Sequence, residues 1–126
     1  KLVNIEKIVQ FLNNTGAGDV LKVVLAVDEE VDTGDLNMVA WQLLGNSDPL
    51  RDHRYFGTSS ILFDGTVKAF RQGGFPRPWP DIVCSDEGTI TSVDEKWSVA
   101  GMGNLVNSPS LKYLKLRKGN SATVMP

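Results

Sequence analysis

The spacing of hydrophobic positions alternates between helical and extended along the first half of the chain, which predicts an α/β fold. Residues 4–14 carry apolar side chains on one helix face, at Ile5, Ile8, Val9 and Leu12. Residues 21–27 (LKVVLAV) form a nearly continuous aliphatic run, typical of a strand covered by helices on both faces. Residues 36–45 return to helical spacing, with Leu36, Val39, Ala40 and Leu43 on one face. Asp35 is the expected cap of this helix and Gly45 its expected stop.

The second half of the chain predicts shorter elements. Residues 53–57 and 60–70 read as strands, with a turn or bulge at the Asp-Gly pair of the second. Ser92 and Glu95 have the spacing of a capping box, which predicts the start of a short helix. Residues 108–120 begin with Ser-Pro and predict a C-terminal helical tail. We expect a small layered sheet with helices packed on it, in one domain over residues 1–126.

A proline-rich segment interrupts this pattern at GGFPRPWPDIV, residues 73–83. Proline lacks a backbone N–H and has a fixed φ, so neither a helix nor a central strand accommodates three alternating prolines. The segment could be a polyproline II ligand for another protein, but such ligands usually present Pro-x-x-Pro. We favour an extended crossover that buries Phe75 and Trp79 against the domain itself.

Composition and charge exclude several classes of protein. The 126 residues are 41% hydrophobic and carry a formal charge of −2, which gives no electrostatic reason to expect nucleic-acid binding. No apolar run reaches the about 20 residues that span a bilayer, so no membrane partner is expected. The single cysteine, Cys84, favours a reducing cytoplasm. Because the sequence begins at Lys1 and not at Met, we expect a processed or excised piece of something longer.

Candidate chemistry is sparse. The acidic turn at residues 28–35 offers oxygen ligands for Mg²⁺ but lacks the pattern of an EF-hand, so a solvated turn is the better interpretation. His53 has no partner nucleophile in the sequence, and a surface turn is favoured there too. The glycine pairs at residues 16–19 and 101–104 lack the spacing of a phosphate-binding loop and are interpreted as helix stops.

Several stretches in order resemble the C-terminal region of the UbiD-like decarboxylases and carboxylases. An aliphatic strand, an acidic turn and a tryptophan-containing helix are followed by Asp-Pro-x-Arg-Asp, Asp-Gly-Thr-x-Lys, the proline segment and a Val-Asp-Glu-Lys-Trp helix. These stretches are KVVLAVDEEVDTGDLNMVAWQLL (22–44), DPLRD (48–52), FDGTVK (63–68), GFPRPWP (74–80) and VDEKW (93–97). The resemblance covers residues 20–103; the tail, 104–126, is a possible oligomer contact. The sequence has LGNSDP where the family often has Ala-Thr-Arg before Asp-Pro.

The resemblance implies enzymes that use prenylated FMN with metal ions to remove or add CO₂ on aromatic or unsaturated acids. The family's flavin site, metal ions and Glu-Arg-Glu catalytic set belong to regions upstream of this one. The resemblance implies part of a UbiD-like carboxy-lyase but assigns no catalytic, cofactor-binding or metal residue here, so whether this chain alone is an enzyme stays open. It implies a C-terminal domain or small subunit that supports assembly and the active-site entrance, in a cytoplasmic oligomer whose partner is a catalytic UbiD-like chain or region.

The residues with candidate interface or structural roles are Arg51, Asp52, Phe75, Arg77, Trp79 and Trp97. Two alternatives stay open from the sequence. The chain could be a stand-alone binding or scaffold module that kept the fold without activity. It could also be a small independent enzyme that uses the acidic turn and His53.

Overall fold

The computed structural model describes residues 4–70 and 77–124, which divide into two compact units between Trp79 and Pro80. The first unit contains a three-stranded sheet with two α-helices, and the second contains one α-helix, a long 3₁₀ helix and a short strand. The predicted α/β class is confirmed. The interpretation of residues 1–126 as a single domain stays a prediction.

The first unit is a mixed sheet with helices. Its elements are α1 (Ile5–Asn14), β1 (Val23–Ala26), α2 (Leu36–Asn46), β2 (His53–Phe56) and β3 (Ser60–Asp64). The strand order is β1-β3-β2, in which β3 runs parallel to β1 and antiparallel to β2. The crossover that joins parallel strands contains α2, as such a connection requires, while a short hairpin joins β2 to β3.

Helix α1 covers one face of this sheet. The helix begins where the sequence predicts, because the side chain of Asn4 accepts a hydrogen bond of 3.1 Å from the backbone N–H of Lys7. Its apolar stripe then packs Leu12 against Phe56 and Leu62. These three side chains are at most 7% exposed and form the hydrophobic centre of the first unit.

The opposite face of the sheet is less well covered than the sequence predicts. Val23 and Leu25 lie in register with Ile61 and Phe63, so all four side chains point to this face. Val23 is 58% exposed and Leu25 is 42% exposed. The aliphatic run was expected to be buried on both sides, and that expectation is wrong at these two positions, since the described helices leave part of this face open.

Helix α2 is rotated relative to the face that its spacing predicts. Asp35 caps it as expected, accepting hydrogen bonds of 3.1 Å from two backbone N–H groups. The buried positions are Met38, Val39 and Gln42, whereas the predicted core positions Leu36 and Ala40 are exposed. Burial of Gln42 is possible because its side-chain oxygen accepts a hydrogen bond from Asn46. The helix ends at Asn46, so Gly45 lies within it and is not its stop.

A contact between two glycine backbones holds the β2–β3 hairpin near the end of α1. Gly57 has φ +56°, and a Cβ on Gly18 would lie 2.9 Å from the Cα of Gly57. The Oγ of Ser60 donates to the carbonyl of Gly18 at 3.0 Å. The segment predicted to be only a helix stop therefore also anchors the hairpin.

The second unit is built from α3 and the segments around it. In chain order its elements are α3 (Glu87–Lys96), a 3₁₀ helix (Pro109–Leu116) and β5 (Thr123–Val124), while β4 (Trp79–Pro80) stands at the division between the units. Helix α3 begins earlier than the capping box predicts, because Asp86 accepts a 2.7 Å hydrogen bond from the backbone N–H of Thr89. The helical tail is confirmed, with Ser108 as its cap, but its turns are 3₁₀ and not α.

Replacement of Gly65 by alanine should destabilise the first unit. The new Cβ would lie 2.8 Å from the Cα of Leu43 and 3.3 Å from the carbonyl oxygen of Ala26, both of which are backbone atoms that cannot move aside. We expect a loss of about 1–3 kcal/mol in the free energy of unfolding, measured by chemical denaturation.

Gly45 provides the matched control, since a Cβ there meets no atom within 4 Å and the residue lies inside α2. Gly45→Ala should leave the free energy of unfolding unchanged or raise it by up to about 1 kcal/mol. Equal effects of the two substitutions would contradict the close approach of α2 to Gly65.

Candidate functional site

A fully buried lysine lies just beyond the end of β3. The side chain of Lys68 has no solvent exposure. Its Nζ donates to the carbonyl oxygens of Asp64 and Thr66 at 2.8 Å and 2.6 Å, and lies 3.3 Å from Oδ1 of Asp64. A buried ammonium is tolerated only when it is paired and hydrogen-bonded, and this one satisfies both conditions. The chain therefore folds back around its own cation after the strand.

A second carboxylate reaches the same lysine from the segment before β2. Oδ2 of Asp52 lies 4.0 Å from Nζ of Lys68 and accepts a 2.8 Å hydrogen bond from the backbone N–H of Asp48. Arg51 holds both oxygens of this carboxylate, with its Nε 3.0 Å from each. We call Arg51, Asp52, Asp64 and Lys68 the buried ion cluster. It joins the Asp-Pro-x-Arg-Asp segment to the Asp-Gly-Thr-x-Lys segment.

The carboxylate of Asp52 stays ionised although it is buried. Burial raises the pKa of Asp52, but the hydrogen bond from Arg51, the backbone N–H of Asp48 and the charge of Lys68 together lower it below its ordinary value. The same hydrogen bond raises the pKa of Arg51, so this side chain stays charged as well. The attraction between these ions therefore persists at neutral pH.

The remaining acceptors of the cluster shape the turn after β3. Oδ1 of Asp64 accepts hydrogen bonds from the backbone N–H and the hydroxyl of Thr66, at 3.0 Å and 2.6 Å. Among the described residues, no buried side-chain nitrogen or oxygen lacks a hydrogen-bond partner. This geometry supports a structural role, in which the polar groups bind one another and hold two loops together.

Trp79 connects this region to the end of α2. Its ring is 4% exposed, and its Nε1 donates to Oδ1 of Asn46 at 3.1 Å. The amide of Asn46 in turn donates to the carbonyl of Gly65 at 3.1 Å. The guanidinium carbon of Arg51 lies 6.0 Å from the centre of the Trp79 ring. Trp79 is thus buried, as the proposed crossover requires.

The structure brings only some of the predicted interface or structural residues together. Arg51, Asp52 and Trp79 lie in one region of the first unit. Arg77 is exposed, and Phe75 falls outside the described residues. Trp97 belongs to the second unit, where it is half-buried and donates to the carbonyl of Asn104 at 3.1 Å. A role for any of these residues in an interface stays a prediction.

The two weak chemical candidates of the sequence have local structural contacts. In the acidic turn, Asp28 accepts a hydrogen bond from the backbone N–H of Val67, and Asp35 caps α2. Nδ1 of His53 lies 2.6 Å from the carbonyl oxygen of Pro49. Within residues 4–70 and 77–124, no three histidine, cysteine, aspartate or glutamate side chains are grouped so that they could hold a metal ion. In the same part of the chain, no helix has the length and apolarity to cross a membrane.

Sequence reasoning missed Asp64, Thr66 and Lys68 as individual residues. They stand within the stretch FDGTVK, which was singled out only as a family-like motif. A usable signal was present, because an aspartate, a threonine and a lysine at i, i+2 and i+4 follow an apolar strand without a break. Such polar residues at the end of a buried strand must find partners or reach solvent.

The fold and the cluster define a small α/β domain whose buried polar residues organise its loops, and comparison with known proteins places this domain in a family. Residues 4–74, more than half of the chain, match the 3-octaprenyl-4-hydroxybenzoate carboxy-lyase C-terminal domain. The chain belongs to this UbiD-like family. The match includes both segments of the buried ion cluster and also α1, which the resemblance did not cover; it ends before Trp79 and α3.

Two curated relatives are similar over a longer stretch. An uncharacterized protein of Archaeoglobus fulgidus is 28% identical over 108 residues, covering 74% of this chain and 22% of the relative. An uncharacterized protein of Aeropyrum pernix is 26% identical over 108 residues, covering 72% of this chain and 22% of the relative. The chain thus spans about a fifth of the length of these relatives.

Removal of the buried ammonium should destabilise the domain strongly. Lys68→Met keeps a similar side-chain volume but leaves Asp64 and Asp52 without their shared cation, so we expect a loss of about 3–5 kcal/mol in the free energy of unfolding. Chemical denaturation followed by tryptophan fluorescence measures it. Lys7→Met, on the exposed side of α1, is the control and should change stability by less than about 0.5 kcal/mol. Similar losses in both variants would refute the buried position of Lys68.

Truncation of Trp79 should show whether its ring contributes to stability as a buried side chain does. Trp79→Ala is expected to cost about 3–5 kcal/mol, because it empties a site that is 4% exposed. Trp79→Phe keeps most of the apolar area and loses the hydrogen bond to Asn46, so its cost should be much smaller. Thermal and chemical unfolding of the three proteins measure the difference. An unchanged melting curve for Trp79→Ala would favour the alternative that the proline segment is a ligand.

Proposed function

We propose that this chain is a non-catalytic C-terminal domain, or a separately encoded small subunit, of a UbiD-like decarboxylase or carboxylase. Membership of the family supports the carboxy-lyase context. The reaction would be loss or addition of CO₂ on an aromatic or unsaturated acid, carried out by a catalytic region that binds prenylated FMN and metal ions. The domain would support assembly of the oligomer and form part of the active-site entrance.

The observation that carries a structural role is the buried ion cluster. Lys68 and Asp52 are the most buried charged side chains of the family-like segments, and the bonds described for them end on neighbouring groups of the same unit. A general acid or base must reach a substrate proton directly or through one water, and side chains without solvent exposure are poorly placed for that. The cluster instead gives the loops after β3 and before β2 a fixed geometry, which a wall beside an active site needs.

The context of the larger protein supports the same proposal. Each relative is a chain of which this match is 22%, so most of its length lies in other regions. A catalytic region of a UbiD-like protein fits that remaining length. A cytoplasmic location is proposed from the single cysteine and stays a prediction.

The test is native mass spectrometry, with a visible absorption spectrum, of the protein isolated from its own cells. The proposal predicts a complex or a longer polypeptide that contains a UbiD-like catalytic region and absorbs as a flavin. The isolated chain of 126 residues should be colourless and should not decarboxylate aromatic acids. A colourless monomer or homo-oligomer from cells, without any catalytic region, would overturn the proposal in favour of a stand-alone scaffold.

A further inference from the structure

The outward side of α2 is apolar, which is unusual for a helix that faces solvent. The eleven residues Leu36–Asn46 include no charged side chain. Met38, Val39 and Gln42 point into the unit, while the other side presents Leu36, Ala40, Trp41 and Leu44, with Asn37 as a polar residue among them. We call these four apolar residues the α2 face. A surface helix normally carries charged and polar residues on the side that faces solvent, whereas α2 has mainly apolar residues there.

The exposure of the α2 face is extensive. Leu36 is 77% exposed and Leu44 is 78% exposed, and Trp41 retains 39% exposure. Leu36, Ala40 and Leu44 are spaced by four residues, so they line up along one side of the helix. Scattered exposed leucines need no explanation, but a contiguous apolar stripe marks an interaction site.

Acidic residues border the α2 face at both of its ends. Exposed Glu29 and Asp32 precede the helix, and exposed Asp48 follows it. The nearest cation in sequence, Arg51, is hydrogen-bonded to Asp52. A partner that covers this face should therefore carry an apolar patch with basic side chains around it.

A second copy of the chain is a poor occupant for this surface. Two α2 helices packed against each other, in either direction, would bring acidic residues opposite acidic residues at their ends. The helix is also only about 16 Å long, at 1.5 Å per residue, and about 10 Å wide. A footprint on the order of 200 Å² is far below the about 800 Å² per partner that a stable dimer needs.

We propose that the α2 face is the surface on which the catalytic region of the UbiD-like protein packs, through an apolar patch bordered by lysine and arginine. This inference rests on the proposed function. Its support from the relatives is that the matched segment is 22% of a longer chain, so the rest of that chain is tethered nearby. A tethered partner needs less contact area than a free one, because its effective concentration is high.

The first test is hydroxyl-radical footprinting of the assembly isolated from its own cells. Leu36 and Leu44 should be oxidised several-fold more slowly than Leu50, which is the same residue type, lies outside the α2 face and is 92% exposed. An assembly that contains a catalytic region but leaves all three leucines equally reactive would overturn this inference and leave the proposed function standing. An assembly without a catalytic region, including one made only of copies of this chain, would overturn both.

The second test uses variants of the full assembly. Leu36→Gln with Leu44→Gln replaces two exposed side chains by a good helix former, so the fold should persist, as a thermal unfolding curve can verify. We expect a several-fold rise in protease cleavage between the tethered regions, because the double variant weakens their contact. Leu50→Gln should retain the wild-type behaviour. If the double variant assembles as well as Leu50→Gln does, the α2 face is not the docking surface.

Discussion

The enclosure of Lys68 is the constraint on which the first unit depends. An ammonium without solvent exposure needs compensation from all sides, and here two backbone carbonyls and two carboxylates supply it. The partners of Lys68 come from the segment just before β2 and from the end of β3. A shift of either segment would therefore leave a charge unpaired in the interior. The two strands are thereby held in register at this end of the sheet.

Different parts of the first unit are stabilised by hydrophobic packing and by polar bonds. Leu12, Phe56 and Leu62 join α1 to one face of the sheet by apolar contact. At the end of β3, the stabilising contacts are those of the buried ion cluster and the hydrogen bonds from Trp79 to Asn46 and from Asn46 to Gly65. A buried polar network of this kind specifies one arrangement, because a slipped register would leave several groups unsatisfied at once.

The first unit has exposed apolar surfaces, and the chain matches only part of the length of its relatives. Val23 and Leu25 on the sheet and Leu36 and Leu44 on α2 are side chains that a complete core would bury. Their exposure, together with relatives of which the match is only 22%, supports the proposal that the chain is one region of a larger assembly. Charge patterning around α2 then favours a partner of different composition over a second copy.

Local signals in the sequence determined the α/β class, the start of α1 at Asn4, the cap of α2 at Asp35 and the family to which the chain belongs. The class and the two caps depend on neighbours within a few residues, so spacing alone reveals them, whereas the family was indicated by the resemblance of several stretches in order. The orientation of α2, the start of α3 at Asp86 and the pairing of Asp52 with Lys68 were decided only by the tertiary structure. Each depends on a partner distant in sequence or on a competing cap. Periodicity does not show such a partner, nor the burial of a charge that the partner makes possible.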